Sequence, residues 1–187
     1  MADQTTGLTS FTSALAYGGA RPSLFEFQVT AAPAGVDSSL SSVGLYCNVT
    51  EIPPLTLTPI ERQYFGRTVK IPGDLVFADL TTTIINTEKY NVRNEIEKWM
   101  EFINNTTSNK SKASADFGTG TAQLIHYQKD GTATMTYQFE EIWPTAISEI
   151  ALSYDTASDI EQFDVTWAYN YYTFTGGTVN TTFSTQG

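Results

Sequence analysis

The sequence has one cysteine, Cys47, and one histidine, His126, in 187 residues. A lone cysteine excludes an internal disulfide and points to synthesis in a reducing compartment. His126 has no cysteine, serine or carboxylate at a telling spacing, so a structural or surface histidine is expected there, not a catalytic one. No apolar run is as long as a membrane span requires. The start, Met1-Ala2-Asp3-Gln4, has neither a basic n-region nor an apolar h-region. Neither a membrane anchor nor a secretory signal is therefore expected. Without that signal, Asn-X-Thr matches such as Asn48-Val49-Thr50 are chance.

Positive charge is missing from a whole region. From Gly131 onward the chain has seven acids (Glu140, Glu141, Glu149, Asp155, Asp159, Glu161 and Asp164) and no lysine or arginine, within a formal net charge of −10. Such a surface repels phosphates, which argues against sequence-specific DNA binding there. Site motifs are equally scarce. Glu140 and Glu141 are adjacent on a strand-like run, point to opposite faces and cannot act as a carboxylate pair. Asp155, Asp159 and Glu161 lack the alternating acids and central glycine of a calcium loop. Gly118-Thr119-Gly120 has no helix start or lysine behind it and cradles no phosphate. No catalytic residue, metal ligand or cofactor site is expected.

Apolar and aromatic side chains are present in quantity. Hydrophobic residues make up 41% and aromatics 13%, enough for the core of one domain, and abundant Tyr, Phe and Thr favour strands. Residues 1–19 are rich in Thr, Ser, Ala and Gly and read as a flexible N-terminal arm. Phe25, Phe27 and Val29 alternate with Glu26 and Gln28 as a first strand, and residues 31–44 read as a loop. Residues 45–50 form a short second strand containing Cys47, expected as a small buried residue. Pro53, Pro54 and Pro59 exclude a central strand and mark an extended arm, 51–71, whose second half carries Arg62, Tyr64, Phe65, Arg67 and Lys70. Pro72-Gly73-Asp74 reads as a turn. Leu80, Thr82 and Ile84 alternate with Thr81 and Thr83 as another strand.

One helix is expected, over 87–104. Val92, Ile96, Trp99 and Ile103 form its apolar stripe, and Thr87 or Asn91 is the candidate cap. After a polar loop to Thr121, Asp130-Gly131 predicts a hairpin between 123–129 and 132–142. Trp143-Pro144 ends that second strand. Residues 146–154 carry Ile147, Ile150 and Leu152 as a further strand-like run. From Ile160 to Phe174, the residues Phe163, Val165, Trp167, Tyr169 and Tyr171 share one parity, so one face packs and the other is wet. Residues 175–187 read as a tail. The expected core includes Phe25, Phe27, Trp99, Trp143, Phe163 and Trp167.

A resemblance runs through residues 20–174. It is carried by Ala20-Arg21-Pro22-Ser23-Leu24-Phe25, by Cys47 with Ile52-Pro53, and by Gly66-Arg67-Thr68-Val69-Lys70-Ile71-Pro72-Gly73-Asp74 with Phe77 and Asp79. The helix with Trp99, Ile142-Trp143-Pro144-Thr145, Glu149-Ile150-Ala151-Leu152 and Ile160-Glu161-Gln162-Phe163-Asp164-Val165-Thr166 complete it. In this order the segments resemble the tail tube protein of contractile-tailed, T-even-type bacteriophages. The Asn/Ser/Thr-rich insert after the helix, the 31–44 loop and the Thr/Gly tail depart from that pattern.

The resemblance implies a mainly β fold with one flanking helix, a small β-barrel or sandwich of the tail-tube type. It implies hexameric rings stacked into the inner tail tube of a virion, made in the host bacterial cytoplasm. The implied partners are a contractile sheath protein, a tape-measure protein, and baseplate or tube-initiator and tail-terminator proteins. Genomic DNA passes through the lumen without specific binding. On this view Glu140, Glu141, Glu149, Asp159, Glu161 and Asp164 are candidate lumen acids. Arg62, Tyr64, Phe65, Arg67 and Lys70 are the candidate ring-to-ring contact arm. Two other readings compete: the tube of a type VI secretion system or phage-derived contractile particle, and a carbohydrate-binding β-sandwich with an exposed aromatic row.

Overall fold

A computed structural model of the chain describes residues 4–15, 18–33, 36, 40, 43–108, 110, 118–156 and 159–176. The strands are β1 (Phe25–Ala31), β2 (Cys47–Thr50), β3 (Leu55–Tyr64), β4 (Arg67–Phe77), β5 (Leu80–Ile85), β6 (Gly120–Tyr127), β7 (Ala133–Ile147), β8 (Gln162–Ala168) and β9 (Tyr171–Gly176). The helices are α1 (Gln4–Ala14), α2 (Val43–Tyr46) and α3 (Asn91–Ile103). Thus α1 lies within the expected N-terminal arm, and the expected second strand begins as a helical turn. Residues 175 and 176 of the expected tail continue β9; the rest lie outside the described residues.

Seven strands form one sheet in the order β1-β6-β7-β8-β5-β2, with β9 also paired to β7. The first part of β7 lies between β6 and β9, and its last part pairs with β8. One strand therefore belongs to two layers: β1-β6-β7-β9 and β2-β5-β8-β7. Among the described residues the path does not close, because β1 and β2 at its two ends do not pair. Of the two expected forms, barrel and sandwich, the chain takes the open sandwich.

The change of layer falls at Glu141. Its φ is 55°, in the left-handed region, and the β6 register slips there, Gly120 facing Ile142 while Thr121 faces Glu140. An extra residue of this kind bends a strand and increases its twist. The Asn170 side-chain amide donates to the Glu141 carboxylate, and the Asn170 backbone N–H to Glu140 O at 3.3 Å. Pro144, expected to end the strand, sits just after the corner where β7 changes partner. The bulge also resets the alternation: Ile142 and Pro144 turn inward, and Trp143, expected in the core, is only half-buried.

The two layers face each other through Phe27, Val29, Leu124 and Phe139 on one side and Leu80, Ile84, Phe163, Val165 and Trp167 on the other. Phe27 and Trp167 meet across the gap at 5.9 Å between ring centroids. Helix α3 buries Val92, Ile96 and Trp99, and Trp99 meets Trp167 edge-on at 5.8 Å. The Trp99 Nε1–H donates to Gly118 O at 2.6 Å. At Gly120 an added Cβ would strike the Ala31 carbonyl and the Trp99 ring, so glycine is what permits this close approach. Phe25 packs half-buried against the same cluster.

Several boundaries differ from the sequence reading. The helix begins at Asn91, four residues late; Tyr90 precedes it at φ 53° and no side chain caps it. Among the described residues of the connection 148–161, which are 148–156 and 159–161, there is a 3-10 turn (Tyr154–Thr156) and no strand. The long alternating run is two strands, because the chain turns at Asn170. Tyr169 is buried but Tyr171 is exposed, and Tyr172 takes the inward place.

Thr82 is fully buried and accepts from the Trp167 indole N–H at 2.9 Å. Thr82→Val keeps the volume but leaves that N–H buried without its partner, so a loss of about 1–3 kcal/mol is expected in urea denaturation followed by tryptophan fluorescence. An unchanged midpoint would contradict it.

Candidate assembly interface

Strands β3 and β4 pair only with each other among the described residues. They are joined by Phe65 (φ 45°) and Gly66 (φ 80°), two left-handed residues that make the tight hairpin turn matching strand twist. The turn expected at Pro72-Gly73-Asp74 is instead a bulge inside β4, because the register slips between Leu57 and Pro59. A Cβ at Gly73 would collide with Thr58 O and Ile60. Pro59 faces Pro72. Neither proline can donate to a ladder, and a two-stranded arm with no third strand tolerates both.

Cross-strand partners share a face. Beyond the bulge, Ile60/Ile71, Arg62/Val69 and Tyr64/Arg67 lie on one face, and Glu61/Lys70 and Gln63/Thr68 on the other. Lys70 and Glu61 pair at 3.2 Å, both largely exposed, so the pair adds little stability. Gln63 Nε2 donates to Thr68 Oγ1 at 2.9 Å. At the root, Phe77 packs edge-on against Tyr169 and Tyr172 at 6.1 and 5.4 Å. From 55 to 77, every residue except Gly73 and Phe77 is exposed, with Tyr64 at 66% and Phe65 at 92%. Among the described residues, no ion pair engages Arg62 or Arg67. The arm thus alternates like a packed strand, with no core beneath it.

The six candidate lumen acids do not converge. Phe139 points inward, so Glu140 lies on the outer face of the β1-β6-β7-β9 layer, accepting from Gln138 Nε2 at 2.6 Å. Glu141 occupies the corner. Asp164 lies on the outer face of the other layer and accepts from Thr83 Oγ1 at 2.7 Å. Glu161 accepts from Asn86 Nδ2 at 2.9 Å and from the Tyr90 hydroxyl at 2.8 Å, tying the start of β8 to the start of α3. That hydrogen bond, with smaller effects of desolvation and of the carboxylate charge, raises the Tyr90 pKa. Glu149 and Asp159 sit exposed in the connection 148–161.

Two features, one on the outer face and one on the inward face of the β1-β6-β7-β9 layer, escape a linear reading. Gln28, Gln123, Gln138 and Thr173 face one another across four strands, a polar row visible only once register is known. Glu26 joins that face and accepts from the Tyr127 hydroxyl at 2.7 Å. His126, half-buried, lines a cavity of about 350 Å³ with Phe25, Leu124 and Tyr137. Among the described residues no three His, Cys, Asp or Glu gather as a metal site, and no helix is long and apolar enough to cross a membrane. Trp167 and Tyr169 are buried, so the shared parity of the aromatics makes no exposed row.

Comparison with known proteins gives this architecture a family. Residues 20–175 match the family described as phage tail tube protein. The chain belongs to that family. The tail tube protein gp19 of Enterobacteria phage T4 is 26% identical over 158 residues, covering 82% of this chain and 90% of that one. A tail tube protein of Serratia phage KSP90 is 27% identical over 121 residues, covering 65% and 68%. The fold is shared with a chain of an extracellular contractile injection system, PVC, in its extended sheath-tube complex (TM-score 0.56, 16% identity, 89% and 98% covered). It is also shared with that system's sheath/tube terminator (TM-score 0.58, 14% identity, 82% and 94% covered). This tail tube chain is a structural component of a virion tail. Helix α1 lies wholly outside the matched residues.

Two measurements separate fold from interface. Ile60→Thr with Val69→Thr in the tail tube hairpin changes the urea stability of the isolated chain by less than about 1 kcal/mol, since both side chains are exposed. A larger loss means the hairpin packs on its own subunit. Half-buried Cys47 behaves differently: burial pushes its thiol from 9.0 up to about 12. Burial likewise lifts Tyr169 from 10.0 to about 12, helped by Tyr172 and Asp79. Both groups are neutral when protonated, and the unfolded chain ionises them first. Stability is therefore complete below about pH 9 and falls as pH rises toward 12. Native Cys47 resists alkylation at pH 8 and reacts once unfolded; rapid native labelling contradicts this assignment.

Proposed function

We propose that copies of this chain form hexameric rings that stack into the inner tube of a contractile tail, the conduit for genome delivery. The observation that carries this reading is the exposed apolar hairpin. Leu57, Ile60, Val69, Ile71 and Leu75 are each about half accessible in the isolated chain. Burying the remainder against another subunit is worth on the order of 1 kcal/mol per side chain. A ring needs a heterologous contact that closes, and a tube needs another along the axis. The hairpin serves the axial contact. Edges serve the ring: among the described residues β9 pairs only with β7 and β1 only with β6, so β9 of one subunit can join β1 of the next and close the edges of that layer.

The outer face of β1-β6-β7-β9 then lines the channel, with Glu140, Glu26 and the glutamine row exposed to it. A wall of hydrogen-bonding and negative groups gives DNA no cationic hold, so the genome slides without specific binding. Asp164 belongs to the opposite layer and faces the sheath side. Glu161, held by two donors, serves the fold. The chain acts as wall material, not as an enzyme. Its partners are the contractile sheath, tape-measure, baseplate or initiator, and terminator proteins. Neighbours of known structure with this fold come from assemblies named for a sheath-tube complex and its terminator, which supports the sheath and end contacts. The family match favours a phage tail over a type VI secretion tube.

Negative-stain electron microscopy of the purified chain, with tube-initiating proteins added, tests the assembly. Six-fold rings or hollow tubes are expected; a strict monomer at every concentration contradicts the reading. In assembled tubes, Glu140→Cys admits a small maleimide but not a polymer-linked one, whereas Asp164→Cys admits both. The reverse pattern would assign the lumen to the other layer.

A further inference from the structure

The stacked-tube reading leaves open what the hairpin touches, and the topology narrows the choice. Strand β5 pairs with β8 so that Leu80 faces Trp167 at one end and Ile85 faces Gln162 at the other. The hairpin enters β5 at the Leu80 end, through Ala78 and Asp79. The connection 148–161 enters β8 at the Gln162 end. The two features therefore leave opposite ends of one strand pair, separated by about 17 Å for six residues of strand. Copies stacked with this strand pair running along the stacking axis bring its opposite ends together.

The connection has the complementary chemistry. Leu152 is 78% exposed, Ile160 is 69% exposed and Tyr154 is fully exposed. Glu149, Asp155 and Asp159 are exposed beside them, and no lysine or arginine occurs from Gly131 onward. The near end of the connection is tied down. Arg93 Nη1 donates to Ser148 O at 3.2 Å, and the Ser148 N–H donates to Asp164 O at 2.8 Å. An apolar, anionic surface lies at one end of the molecule. The hairpin face with Ile60, Val69, Ile71, Arg62 and Arg67, apolar and cationic, extends from the other.

We infer that the described residues of this connection, 148–156 and 159–161, in one subunit receive the hairpin face of a second copy of this chain in the adjacent ring. Apolar side chains of the two surfaces cover one another there, and Arg62 and Arg67 meet Glu149 and Asp155. This inference rests on the stacked-tube reading and names the receiving surface within it. Charge complementarity fixes orientation and register, while the apolar contacts supply most of the attraction.

Disulfide capture tests the contact. Phe65→Cys and Tyr154→Cys are placed together in the otherwise unchanged chain, assembled and mildly oxidised. A ladder of covalent multimers is expected on non-reducing gels, and neither single variant gives one. Tubes that form but yield only monomers, with a freely labelled thiol at position 154, overturn the inference while leaving the tube reading intact. That outcome assigns the connection to solvent or to another protein of the tail. Failure of the parent chain to assemble at all overturns both. Where the cysteine pair itself blocks assembly, charge exchange decides. Arg62→Glu with Arg67→Glu loses tubes, and adding Glu149→Lys with Asp155→Lys restores them; no restoration overturns the inference.

Discussion

The constraint on which the structure depends is the corner in β7. A single strand must serve two layers, and it does so by placing Glu141 in the left-handed region and Pro144 just beyond. A left-handed glutamate costs about 1–2 kcal/mol relative to ordinary strand backbone. The turn between β8 and β9 returns its side chain and backbone hydrogen bonds to that corner through Asn170. With the corner set, β9 falls beside one half of β7 and β8 beside the other. Phe27, Trp99 and Trp167 can then meet in one core. The pairing of Trp167 with Thr82 satisfies the one polar atom that the indole brings into it.

A core closed in this way has no use for the hairpin. Among the described residues the arm is rooted through Phe77, which packs on Tyr169 and Tyr172, and through the Tyr169 hydroxyl, which donates to Ala78 O at 2.6 Å. Its apolar residues are therefore only about half covered in the monomer, and the remainder is available for association. Buried parity in β1, β5, β6 and β8 serves the subunit, and in the proposed assembly the same parity in β3 and β4 serves the contact between subunits. Only placement distinguishes the two, since the side-chain chemistry is alike.

This explains which parts of the protein were legible in the sequence. β1, β5 and β8 were readable because one face of each is buried, which imposes period two. The Asp130-Gly131 turn was readable because glycine at φ 83° satisfies a hairpin directly. The arm stood out because three prolines exclude a central strand. Its true turn, Phe65-Gly66, was hidden because a bulky residue rarely adopts positive φ while Pro72-Gly73 nearby is a stronger signal. The break at Asn170 was masked by tyrosines on both parities at 169, 171 and 172. In 148–161, Ile150 and Leu152 keep a strand-like spacing although Leu152 faces solvent. The acids were visible as a charge bias, but their faces depend on the Glu141 bulge and on cross-strand register, which no linear pattern encodes.

Hydrogen–deuterium exchange, comparing assembled particles with the dissociated chain, addresses the central claim most directly. The account predicts that backbone amides between 60 and 71 slow markedly on assembly, while core amides of β5 and β8 keep the same protection in both states. Equal, fast exchange of the hairpin in assembled particles would contradict the claim that this arm, and not some other surface, holds the tube together.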